Sequence, residues 1–134
     1  MFKLMSLVLL SLAVIAVAAE TPNEKPGTWT SAKGLHRVSY TSELEPLRIN
    51  TIHNWIIHIE DSSGEAISGA RLMLIGGMPI HDHGLPTRPQ MTRELGDGDY
   101  LIEGMRFHMA GSWEIEVTID LAGIQDVAII SLEI

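Results

Sequence analysis

The stretch Trp113-Glu-Ile-Glu-Val-Thr-Ile119 decides the fold class. Trp113, Ile115, Val117 and Ile119 alternate with Glu114, Glu116 and Thr118. A period of two puts every apolar side chain on one face, as a half-buried strand requires; a helix would scatter them. The same period recurs outward from this segment. Residues 47–59 set Leu47, Ile49, Trp55, Ile57 and Ile59 on one face, with Pro46 at the entry, where a strand can accept it. Ala70 to Ile75 reads as a strand stopped by Gly76-Gly77, Tyr100 to Phe107 as another, and Asp126 to Ile134 as the last. His36 to Thr41 adds one at the start. Glu60-Asp-Ser-Ser-Gly64 and Gly96-Asp-Gly-Asp99 supply turns. No long window after residue 19 carries a helical stripe. The pattern predicts an all-β chain, an immunoglobulin-like antiparallel β-sandwich of about six or seven strands.

Composition narrows the function. The chain has 134 residues, enough for one domain, and 46% are hydrophobic, enough for a packed core. Lys and Arg number 9 against 17 Asp and Glu, a net charge of -8. No basic surface is ready for phosphates, which argues against nucleic-acid partners, while an acidic surface attracts cations. With 0 cysteines, disulfides, thiolate metal sites and Cys nucleophiles are excluded.

The N-terminus reads as an export signal. Lys3 precedes an uncharged apolar run from Leu4 to Ala19, closed by small residues at Ala16, Ala18 and Ala19. Positive start, apolar centre and small-residue end are the parts of a secretory signal peptide. The expected organisation is a signal peptide over 1–19, a flexible lead-in over 20–34 and a β-domain over 35–134. Trp29, alone in the lead-in, is expected to pack on the domain edge. The expected location is periplasmic or extracellular, with membrane anchoring if the signal is retained.

One region does not look like scaffold. Gly76 to Met91 contains three prolines, three glycines, His81, His83, Met78 and Met91. Long loops in compact domains are often functional. Two histidines one residue apart point the same way on extended backbone. Neutral imidazole is a common metal ligand, and thioether suits copper(I). Asp82 could add a hard oxygen or orient a ligand. A second cluster, Phe107-His108-Met109-Ala110-Gly111, precedes Trp113, and loops of a sandwich gather at its two ends. Convergence of Met78, His81, His83, His108 and Met109 would make a metal site. The competing reading is a solvated turn around Asp82 and methionines that merely fill the core. His53 and His58, on opposite faces of one strand, and His36 near the lead-in are weaker candidates.

Enzyme signatures are lacking. Ser112 has no nucleophile-elbow context, and neither a P-loop nor a dinucleotide fingerprint occurs. Asp97/Asp99 and Glu114/Glu116 fit a turn and a solvent-facing strand, and the 96–99 turn is too short for a calcium loop. The chain is expected not to be an enzyme.

Met78-Pro-Ile-His-Asp-His-Gly84, Gly98-Asp-Tyr100 and Phe107-His-Met-Ala-Gly-Ser-Trp-Glu114 resemble the small exported YtkA-like domains, a group related to FixH-type proteins. The resemblance covers roughly residues 45–134. It implies an immunoglobulin-like domain outside the cytoplasmic membrane, linked to copper handling or cytochrome oxidase assembly. By this resemblance Met78, His83 and Met109 take the family's Met and His positions, whereas His81 and His108 fall at variable ones. FixH-type proteins keep a membrane anchor, and here residues 1–19 read as cleavable.

The expectation is therefore a periplasmic copper-binding domain that captures copper(I) through thioether and imidazole and releases it to an envelope partner by ligand exchange. The alternative is a metal-free interaction or assembly domain whose Met/His loop is a contact surface.

Overall fold

The computed structural model describes residues 27–134; the expected signal peptide and most of the expected lead-in lie outside the described residues. Nine strands account for the regular structure: β1 (Thr28–Thr30), β2 (His36–Ser42), β3 (His53–Asp61), β4 (Arg71–Met78), β5 (His83–Gly84), β6 (Gln90–Gly96), β7 (Asp99–Met105), β8 (Ser112–Leu121) and β9 (Ile124–Glu133). Among the described residues there is no helix. Every pairing is antiparallel, in the order β1-β2-β3-β7-β6-β4-β8-β9, with β5 folded back on β4.

The period-two reading of β8 fits. Trp113, Ile115, Val117 and Ile119 are buried; Glu114 is exposed, and Glu116 and Thr118 are half-buried. They meet Trp55, Ile57 and Ile59 of β3, Tyr100 and Ile102 of β7, Leu72 and Leu74 of β4, and Ala128 and Ile130 of β9 in one core. Burying apolar area at about 25 cal/mol per Å² is the main favourable term for such a chain.

The strand count departs from expectation. One nearly closed, barrel-like path of eight strands, with β5 as a ninth beside β4, stands where six or seven strands were expected in a sandwich. Thr28–Thr30, placed in the lead-in by sequence, is part of the sheet, and Trp29 stacks on Tyr40 at 5.9 Å. β6 escaped notice because six of its residues are exposed and the other is only half-buried, so no apolar alternation marks it. β5 has only two residues. β4 is not stopped by Gly76-Gly77 but runs through both to Met78. A Cβ on Gly76 would sit 2.6 Å from Ile115 Cδ1 and 2.7 Å from Leu85 Cγ, so glycine admits those neighbours rather than breaking the strand. β3 begins at His53, not near Leu47; Ile49 is exposed, Asn50 has φ 59°, and residues 47–52 form a connection.

The β6–β7 turn was read correctly. Asp97 and Gly98 both take positive φ, 53° and 80°, as a tight hairpin of right-handed twist demands. A Cβ on Gly98 would lie 2.6 Å from the Ile59 carbonyl oxygen, so the turn also needs glycine for space.

Near-closure depends on Asp126, at 2% exposure. Its carboxylate accepts hydrogen bonds from Ser31 Oγ (2.6 Å) and from the N–H groups of Val127 (2.8 Å), Lys33 (2.9 Å) and Leu35 (3.4 Å). Beside it Ala32 N–H donates to the Val127 carbonyl at 2.7 Å. Burial acts to raise the Asp126 carboxyl pKa, but the hydrogen bonds from Ser31 and the three amides outweigh it and hold it below the usual range. On the other side of the path, β4 and β6 share the single register pair Met73–Gln90.

Candidate functional site

The site is built on the β4–β5 hairpin and the β7–β8 connection. Met78 ends β4 with its side chain buried at 2% exposure. Its carbonyl accepts the N–H groups of His81 and Asp82, each at 3.1 Å, which closes the turn and returns the chain to pair His83 with Met78. Asp82 takes φ 51° in that turn, a conformation Asp tolerates better than most residues. The turn leaves His81 and His83 exposed with ring centres 6.3 Å apart. His108 reaches them from the β7–β8 connection, its ring edge-on to His83 at 5.9 Å and to Trp113 at 5.6 Å.

Ring contacts thus run from His81 to His83 and from His83 to His108. Two imidazoles sharing one ion at about 2.0–2.1 Å per bond have ring centres about 5–6 Å apart, close to the spacings here. Among the described residues no three His, Asp or Glu side chains are already posed around one point to hold an ion, so binding would require side-chain rotation. His108 Nδ1 is buried and has no hydrogen-bond partner. A buried imidazole nitrogen without a partner is costly, and a ligand would relieve it. His36 Nδ1 is likewise bare, but its ring stands apart from the other imidazoles.

The thioethers behave differently. The Met78 methyl lies beneath Gly111, 3.0 Å from where a Cβ there would be. Met109 packs against the core, and its carbonyl accepts the Trp113 Nε1–H at 3.0 Å. Met91 is half-buried, and its sulfur accepts the Leu72 N–H at 3.4 Å. At this end His81 and His83 are exposed, His108 and Met109 are half-buried, and Met78 is buried.

His83 also walls an open cavity of about 410 Å³, with Asp82, Glu114, Glu116 and the apolar Ile75 and Ile129. None of these three carboxylates makes an ion pair among the described residues, so they leave a negative field beside the histidines.

Two of the weaker candidates, His53 and His58, are spoken for. His53 Nδ1 meets the Thr51 carbonyl at 3.0 Å and its Nε2 accepts the Trp55 Nε1–H at 3.1 Å, which assigns the ring proton to Nδ1. His58 faces Asp99 at 2.6 Å through Nδ1 and Glu60 at 3.3 Å through Nε2, with Arg37 on the other Glu60 oxygen at 3.3 Å. Sequence reasoning missed this network because its members come from three strands and share no motif.

No curated protein and no solved structure matches the chain. Residues 38–118 match the YtkA-like family, more than half of the chain and a span that includes His81, His83 and His108, and the protein belongs to the YtkA-like family.

Proposed function

We propose that this protein is an exported, non-enzymatic copper-binding domain, with His83 and His108 as its first ligands and His81 as the third. The observation that carries the reading is the bare, buried Nδ1 of His108 beside two exposed imidazoles. Imidazole suits copper(II) and zinc, and with Met78 buried the set favours copper(II) over copper(I). The unpaired carboxylates of Asp82, Glu114 and Glu116 raise the local concentration of a cation. Uncharged ligands without thiolate release the ion easily, which fits transfer to an envelope partner. The basic-then-apolar run from Lys3 to Ala19 supports export to the periplasm.

Calorimetry with copper(II) on the wild type and on His81→Ala/His83→Ala tests this. Protons compete for imidazole nitrogen, so wild-type uptake should fall between about pH 7.5 and about pH 5, and the double variant should take up none. Equal uptake by both proteins would overturn the site.

A second reading, a metal-free interaction domain, is favoured by the outer face of β4 and β9. Met73, Ile75 and Ile129 are 65%, 63% and 47% exposed there, unusual for large apolar residues.

A further inference from the structure

The outer surface of the barrel disposes of charge in two ways. On β2, β3 and β7 the outward side chains pair among themselves, Arg37 with Glu60 at 3.3 Å and His58 with Asp99 at 2.6 Å. On β4, β8 and β9 they do not. The register aligns Ile75, Glu116 and Ile129 in one row and Gly77, Glu114 and Ser131 in the next. Both rows face outward, because the neighbouring Leu74, Ile115, Val117, Ala128 and Ile130 fill the core. Ile75 and Ile129 are exposed on either side of a half-buried Glu116. Neither Glu116 nor Glu114 makes an ion pair among the described residues, and Arg71 is the only Lys or Arg in these three strands. Gly77 leaves its row without a side chain over β4. Its φ is not positive, and a Cβ there would meet only the His83 carbonyl oxygen, at 3.4 Å. Neither backbone conformation nor close packing demands glycine, so what the missing side chain provides is an open groove. Two cavities of about 410 and 420 Å³ meet there at Ile75, Gly76 and Gly84, and the second runs past Met73 to Leu85 and Pro89.

We propose that this face docks a basic amphipathic helix of a partner protein, with its Lys or Arg side chains over Glu114 and Glu116 and its large apolar side chains against Met73, Ile75 and Ile129. The proposal rests on the reading of this face as a contact surface and not on the copper reading. Charge selects the occupant. A second copy would set the same carboxylates against each other, in a chain of net charge -8. An anionic lipid surface would be repelled by them as well. A cationic helix pairs with the glutamates while its apolar side chains cover the isoleucines that solvent now meets. The dimensions agree. Glu114 and Glu116 stand two residues apart on β8, about 7 Å along the strand. Lys residues at i and i+4 of a helix are separated by about 6 Å of rise. From β4 to β9 is two strand spacings, about 9.6 Å, and one helix is about 10 Å wide. Apolar side chains closing over the glutamates would exclude water and strengthen each charge pair.

Binding of fluorescent synthetic helical peptides to the whole, metal-free protein, with amide chemical shifts to locate the contact, tests this. An amphipathic leucine–lysine peptide should bind and shift amides of β4, β8 and β9. Glu114→Gln/Glu116→Gln and Ile75→Ser/Ile129→Ser should each weaken it about tenfold, with the urea midpoints showing that the fold is kept. Gly77→Leu, which fills the groove, should block it. Glu65→Gln, which removes an acid from the β3–β4 connection, should leave it unchanged. A loss in Glu65→Gln as large as in the glutamate pair, or no loss in the isoleucine pair, means non-specific attraction to an acidic chain and overturns the proposal. A leucine–glutamate peptide that binds the same residues as tightly overturns the basic partner and keeps the contact surface. So does a wild-type dimer in sedimentation that Ile75→Ser/Ile129→Ser dissolves. No shift on this face with either peptide, and no dimer, overturns the proposal and the contact-surface reading together.

Discussion

The Asp126 seam and the histidine end are both polar clusters on an apolar barrel, yet they differ in what they leave undone. At the seam a nearly buried carboxylate accepts four hydrogen bonds, all from the segment 31–35 and from Val127. The partners come from the chain itself, so the cluster is complete and its role is to tie β9 to the start of the sheet. At the histidine end the imidazole nitrogens of His81 and His83 make no hydrogen bond among the described residues, and His108 Nδ1 is buried and bare. Satisfied polar groups help to specify a fold, and a buried unsatisfied one calls for an explanation, of which a ligand is one. The His58 ring, with carboxylates at both nitrogens, belongs with the seam by the same criterion, whereas the Nε of its neighbour Arg37 is buried and bare.

The comparison can be broken most severely through Trp113, which underlies His108 and sits in the core. Trp113→Ala should cost about 3–5 kcal/mol in a urea melt and weaken copper(II) uptake as well. The seam should respond next. Asp126→Asn keeps the shape but gives the Ser31 hydroxyl and amide donors a poorer acceptor, and should cost about 1–3 kcal/mol. Acid sharpens the same test. The folded carboxyl lies below its unfolded value of about 3.9, so its contribution is full above that value and is lost as pH falls through the depressed one. Wild-type stability should therefore drop on acidification below about pH 4 more steeply than that of Asp126→Asn, by comparison of urea midpoints. The histidine end should behave in the opposite way. His81→Ala/His83→Ala should shift stability by under about 0.5 kcal/mol while abolishing copper(II) binding, because exposed loop side chains bury little. The smallest effect is expected at Glu116→Ala on the outer face of β8, again under about 0.5 kcal/mol, with a weaker copper(II) association as the field beside His83 falls.

How far the sequence could be read follows the same division between apolar rhythm and polar pairing. β8 was legible because Trp113 to Ile119 alternates without interruption, and the 96–99 turn because Asp97-Gly98 has the chemistry of a tight hairpin. β6 was not, since Gln90–Gly96 faces solvent on nearly every residue and is held by backbone pairing alone. Gly76-Gly77 misled because glycine ends some strands, whereas here it makes room for Leu85 and Ile115, partners that no local window reveals. At the site, His81 and His83 were visible as a pair and His108 as a neighbour by loop position. The burial of Met78 was not, because a residue at the end of a strand faces either way until its partner strand is known. Asp126 gave no signal at all, since its donors other than Val127 lie in the distant segment 31–35.

The single Met73–Gln90 pair between β4 and β6 leaves the two ladders sparsely paired on the side away from the Asp126 seam. β1, β2, β3, β7 and β6 form one leaf, and β4 with β5, β8 and β9 form the other. Amide protons along an interface with so few rungs exchange with solvent through local opening, well below the free energy of global unfolding. His83 rides on the second leaf, while the loop bearing His108 leaves the first to enter the second. Breathing on that side therefore alters the gap between the two imidazoles without unfolding either ladder, and deuterium uptake at Leu72 and Leu74, whose amides face β6, would report it ahead of the rest of the sheet.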